Sequence, residues 1–122
     1  MLLIVDDNPS NLKLLRALLS AEGFQVRTAS NADEAMQALA QGRPDLVLTD
    51  VQMPGMDGLE FTRRLKADPL THDVPVVAIT AYAMSGDEAK AIEAGCDAYV
   101  SKPIDTRALP GLLHGLLGRT KH

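Results

Sequence analysis

Tryptophan is absent from the 122 residues, and phenylalanine and tyrosine supply only two each. With 46% apolar residues but 3% aromatics, the core has to be aliphatic and alanine-rich, which suits closely packed helices and strands. Cysteine is nearly missing as well. Cys96 alone excludes an intrachain disulfide and any multi-cysteine metal site. No apolar run approaches the roughly 18 residues that a membrane-spanning helix needs. The opening Met1–Val5 turns acidic at Asp6-Asp7, without the basic start and small-residue cleavage site of a signal peptide. The expected setting is therefore cytoplasmic, with no membrane insertion. Positive charge is also scarce. Twelve Lys and Arg against sixteen Asp and Glu leave a net charge of −4, the opposite of the balance that phosphate contacts require, so nucleic acid is not expected as a direct partner. Internal repeats, low-complexity segments and linkers are lacking too, and the length suits one domain.

What is present alternates in period. Met1–Val5 reads as a short strand buried on both faces. Asn8-Pro9 reads as a helix start, with Asn8 capping and Pro9 in the first turn, followed by Leu12, Leu15, Leu18 and Leu19 and a stop at Gly23. Phe24–Ala29 is a second strand. Ser30, with Asp33 and Glu34 close behind, opens a helix carrying Ala35, Met36 and Leu39 that closes at Gly42. Leu46–Asp50 is a third strand, and Met53–Gly58 is turn chemistry before a helix with Leu59, Phe61 and Leu65. Asp57 and Glu60 there resemble a capping box. Pro75–Thr80 is a fourth strand. Ser85 or Gly86 opens a fourth helix with Ala89, Ile92 and Ala94, stopped by Gly95. Ala98–Val100 is a fifth strand, and the last helix holds Leu109, Leu112, Leu113, Leu116 and Leu117, with a turn first and Pro110 in its first turn. Gly118–His122 is expected to be a frayed tail. Five strand–helix repeats imply a doubly wound α/β fold with a parallel sheet, because parallel strands need crossover connections. In such sheets ligands bind beyond the carboxyl ends of the strands, where strand order reverses.

The polar residues fall at those ends. Asp6 and Asp7 follow the first strand, Asp50 ends the third, Thr80 the fourth, and Ser101-Lys102 the fifth. Any one of these could be a cap or turn former. Three acids, a hydroxyl and a lysine converging at one sheet edge suggest a site. Clustered carboxylates repel each other, and a divalent cation removes the conflict. All-oxygen ligation points to Mg²⁺ (with Mn²⁺ as a substitute) rather than zinc. Mg²⁺ shares its shell readily with phosphate. Lys102 and Thr80 can then bind further phosphoryl oxygens, and Asp50 is placed to act as a nucleophile giving an aspartyl phosphate.

The segments LLIVDDN, LVLTDVQMPGMDGLEF, PVVAITAY and AYVSKPID resemble, in order, the receiver domain of two-component response regulators. The spacings are 43 residues from Asp7 to Asp50, 30 on to Thr80 and 22 more to Lys102. The resemblance implies one receiver domain over 1–122, with a core over about 2–117, and a flavodoxin-like five-stranded sheet of order 2-1-3-4-5 with five helices. By the same resemblance Asp50 is the phosphoacceptor. Asp7, Asp50 and the backbone carbonyl of Gln52 ligate Mg²⁺, and Asp6 acts through water. Lys102 and Thr80 are catalytic, Thr80 and Tyr99 form the switch, and Lys102-Pro103 is a cis peptide. Gln52 and Tyr82 flank the path of attacking water and set the signal lifetime. The donor is the phosphohistidine of a sensor histidine kinase or a histidine phosphotransfer protein. The readout to a downstream protein runs through the fourth helix, fifth strand and fifth helix, from a monomer or weak dimer. The pattern is most similar to stand-alone receivers and those of hybrid kinases. The domain is a signalling module, not an enzyme beyond its own phosphorylation and dephosphorylation.

Several residues have plainer readings. Cys96 is a small buried hydrophobe. His72, His114 and His122 show no ligand spacing and belong on the surface. Arg63, Arg64 and Lys66 form a solvated helix face. A small Mg²⁺-dependent phosphohydrolase with an aspartate nucleophile uses the same ingredients. It would place an acid two residues after the nucleophile, where this chain has Gln52, and no cap domain is present to hold a substrate. A nucleotide-binding domain would need a glycine-rich phosphate loop, which the chain lacks.

Overall fold

The computed structural model describes residues 1–51, 58–80, 87–101 and 104–120. Five strands, β1 (Leu2–Val5), β2 (Val26–Ala29), β3 (Leu46–Asp50), β4 (Val76–Thr80) and β5 (Ala98–Ser101), alternate with five helices. These are α1 (Pro9–Ala21), α2 (Ala32–Gln41), α3 (Gly58–Ala67), α4 (Asp87–Ala94) and α5 (Leu109–Thr120). The sheet order is β2-β1-β3-β4-β5, and every pairing is parallel. This is the doubly wound arrangement expected from the alternation, with the order reversing between β1 and β3.

Alternation along the strands divides the core. Leu3, Val5, Val47, Val76 and Ala78 pack with residues of α2, α3 and α4, including Ala35, Phe61, Leu65 and Ala91. Leu2, Ile4, Leu46, Leu48, Val77 and Ile79 pack with Leu15 and Leu19 of α1 and Leu109, Leu113 and Leu116 of α5. Both faces of the central strands are covered, so β1, β3 and β4 are buried along their whole length.

Helix boundaries follow local chemistry. Asn8 Oδ1 accepts from the Ser10 and Asn11 amides at 2.9 and 3.4 Å, with Pro9 at the first helical position. At the other end of α1, Phe24 N–H donates to Leu19 O and Gly23 N–H to Ser20 O, with Gly23 at φ +93°, a Schellman stop. Gly95, at φ +109°, closes α4 in the same way, Cys96 N–H donating to Ala91 O and Gly95 N–H to Ile92 O. The cap of α2 is Asn31, one residue later than the expected start, and Ser30 holds Glu34 instead. A turn precedes α5, where Asp105 Oδ1 accepts from the Arg107 and Ala108 amides and Pro110 falls in the first turn. The helix continues to Thr120, into the stretch expected to fray.

Two expectations are corrected. α4 buries Ala91 and Ala94, whereas Ile92 is 61% exposed and Ala89 is exposed. Lys66 is not part of a solvated face. Its ammonium donates to Val74 O at 2.8 Å and to Asp97 Oδ2 at 2.9 Å. Arg63 and Arg64 are exposed and reach back to Glu60. His72 and His114 are exposed, as expected, and Cys96 is buried. The turn expected over 53–57 and the helix start expected at Ser85 or Gly86 lie outside the described residues. No helix among the described residues is long and apolar enough to cross a membrane.

Candidate functional site

The parallel register carries three strand ends to one edge. β1 ends at Val5, opposite Thr49 of β3, so Asp6 and Asp7 emerge beside Asp50. Asp50 is opposite Ile79, and Thr80 follows at the end of β4. Carboxylate oxygens of Asp6, Asp7 and Asp50 all lie within 4.8 Å of one another. Asp6 and Asp50 are buried, at 1% and 5% exposure, and Asp7 is exposed. The group therefore has a closed floor and an open mouth. Like charges at this spacing repel, and three hard oxygen donors with one open side are the donor set of Mg²⁺ rather than of a softer metal. The residues present fit the ion.

Local backbone chemistry holds the acids in place. Asp6 N–H donates to Ala29 O, Asp6 Oδ1 accepts from Asn8 N–H at 2.9 Å, and Asp6 Oδ2 accepts from Asn11 Nδ2 at 3.3 Å. Asp50 sits where β3 meets the first turn of α3. Val51 N–H donates to Ile79 O and Gly58 N–H to Val51 O. A Cβ on Gly58 would lie 1.9 Å from Asp50 O and 3.1 Å from Thr49 Oγ1, so only glycine permits this approach of α3 to the strand end. Thr62 Oγ1 donates to Gly58 O at 2.8 Å and ties that turn to the rest of α3. Gly58, Asn11 and Thr62 are supporting residues that no motif in the sequence marks. In the sequence Gly58 reads as turn chemistry alone.

Thr80 is fully buried and opposite Ser101 of β5. Tyr99 is opposite Ala78, two residues before Thr80, and packs half-buried against the core shared by α2, α3 and α4. Gln52, Tyr82, Lys102 and Pro103 lie outside the described residues. Burial pushes the Cys96 thiol up from its ordinary value, in keeping with a packing role. A cavity of about 640 Å³ opens at the opposite, amino-terminal edge of the sheet, lined by Met1, Phe24, Pro44 and Pro75 among others. It contains none of the three acids.

A family described as the response regulator receiver domain matches residues 2–114. The chain is 42% identical over 116 residues to the polar-differentiation response regulator DivK of Brucella anthropi, covering 95% of this chain and 94% of the relative. Among solved structures, a putative response regulator from Chloroflexus aurantiacus superposes with a TM-score of 0.92 at 32% identity, covering 96% of each chain. The receiver domain of a Pseudomonas aeruginosa sensor histidine kinase, solved with a magnesium ion coordinated in its active-site cleft, superposes with a TM-score of 0.89 at 32% identity over 96% of each chain.

Proposed function

The chain belongs to the response regulator receiver domain family of two-component signalling, and from that premise we propose that Asp50 is its phosphoacceptor. The observation that carries this reading is the meeting of the Asp6, Asp7 and Asp50 carboxylate oxygens within 4.8 Å at the carboxyl edge of the sheet. Asp7 and Asp50 would hold Mg²⁺ directly, joined by the Gln52 carbonyl. Asp6, both of whose oxygens already accept from Asn8 and Asn11, would act through water. Mn²⁺ would substitute. When bound, the ion neutralises the acids and the incoming phosphoryl oxygens. Asp50 attacks phosphorus in line. The phosphorus–nitrogen bond to the donor histidine breaks as the bond to the Asp50 oxygen forms, and the histidine keeps the bonding pair. Lys102 supplies a further positive charge, and Thr80 turns its hydroxyl toward the new group.

The donor in this reading is a sensor histidine kinase or a histidine phosphotransfer protein, in the cytoplasm. Added charge at Asp50 shifts a two-state equilibrium in which Thr80 and Tyr99 move together. The downstream protein reads α4, β5 and α5, where Ile92 already stands out from the surface. Gln52 and Tyr82 govern access of the water that ends the signal, and the domain catalyses only its own phosphorylation and dephosphorylation. The phosphohydrolase alternative finds no support: the family is a signalling one, and the chain is similar along its length to regulators and receivers. A phosphohistidine-loaded kinase supplied with Mg²⁺ is expected to pass label to the wild type and none to Asp50→Asn. Equal labelling of the two would reject the assignment.

A further inference from the structure

Asn11 stands in the first turn of α1, half-buried. Its backbone amide is received by the Asn8 cap, while its side chain turns back to Asp6 Oδ2 at 3.3 Å. Asp6 Oδ1 accepts from the Asn8 amide at 2.9 Å. The cap of α1 and the buried acid thus form one closed arrangement, in which each Asp6 oxygen is held by a donor from a different point of the same turn. Repulsion from Asp7 and Asp50 favours rotation of the Asp6 carboxylate away from them. The Asn11 amide opposes that rotation with a neutral donor and adds no charge to compete for a cation.

We propose that Asn11 is a positioning residue for the acidic site, fixing the Asp6 carboxylate in the orientation from which it holds water toward a divalent cation. The inference rests on the reading of Asp6, Asp7 and Asp50 as a Mg²⁺ site. Groups that orient the residues around a metal typically contribute 10–100-fold in affinity. Because Asp6 acts through water, the lower end, about 10-fold, is expected.

The test uses the whole chain and the cation alone, without a phosphodonor. Mn²⁺ binding is followed by loss of its solution EPR signal, with Mg²⁺ as competitor, for wild type, Asn11→Ala and Asn11→Gln. Asn11→Ala should weaken both ions about 10-fold, and Asn11→Gln, which keeps the amide, should fall between the two. Alanine is the stronger helix former, so a role confined to the stability of α1 would leave binding unmoved. In a second readout, with a small acyl phosphate as donor, the Mg²⁺ concentration for half-maximal phosphorylation should rise in Asn11→Ala while the rate at saturating Mg²⁺ is retained. Wild-type affinity in Asn11→Ala, or an Asn11→Gln variant weaker than Asn11→Ala, overturns the proposal and leaves the metal reading standing. A wild type that binds neither ion overturns both.

Discussion

At the scale of single residues, Gly58 shows how tightly the site is built. Its missing side chain is what lets α3 begin against the Asp50 carbonyl. Gly58→Ala is expected to lose about 1–3 kcal/mol in urea denaturation, the range for overpacking a filled space, and to slow phosphorylation by displacing Asp50. Glu34 gives a pH-dependent case on the surface. Its carboxyl is held below its ordinary value of 4.5 by the Ser30 hydroxyl and then by the Ser30 backbone amide. A depressed acid stabilises the fold above its unfolded value and loses that contribution as pH falls through the folded one. Thermal melts of Glu34→Gln should therefore fall below wild type at neutral pH and converge with it well below pH 4.5. Legibility at this scale was uneven. Asn8 could be read as a cap because Pro9 and a leucine repeat follow it. Asn11 could not, because its partner Asp6 is brought back by a turn whose geometry no spacing announces.

At the scale of elements, the alternation of strand and helix was legible because both faces of the sheet are covered, leaving continuous apolar runs at β1, β3 and β4. The orientation of α4 was not. Ala89, Ile92 and Ala94 form as good an apolar set as Ala91 and Ala94, and only packing against α3 and β5 decides between them. Lys66 was misread for a related reason: on a helix with two exposed arginines nothing in the sequence marks one cation as different. Its partners, Val74 O and Asp97, come from the loops that lead into β4 and β5, and Asp97 Oδ2 also accepts from Val76 N–H at 2.8 Å. This clip fastens α3 to the starts of β4 and β5. Lys66→Met should cost about 1 kcal/mol, a partly exposed pair with one backbone bond. Asp97→Ala should cost more, about 1–3 kcal/mol, because it also strips the Val76 amide of its acceptor. Chemical denaturation of the two variants ranks them.

At the scale of the whole molecule, two aliphatic layers hold three acids together at one edge of the sheet. The net charge of −4 is thus partly concentrated where it opposes folding. The layers offset that repulsion when no cation is present. Asp50→Asn removes one charge from the cluster, so it is expected to be more stable than wild type in EDTA, on the order of 1–3 kcal/mol for a like-charge contact at intermediate dielectric. Mg²⁺ should raise the melting temperature of the wild type in a saturable way and that of Asp50→Asn much less. A destabilised Asp50→Asn in EDTA would mean the acids are not in conflict. Acceptance of a phosphoryl group by Asp50 with the help of a divalent cation is read by intact-protein mass spectrometry after incubation with Mg²⁺ and a small acyl phosphate. One phosphoryl adduct is expected on the wild type, mapped to Asp50, and none in EDTA or on Asp50→Asn. An adduct of undiminished occupancy on Asp50→Asn, or one formed equally well in EDTA, would contradict this role of Asp50 and the cation.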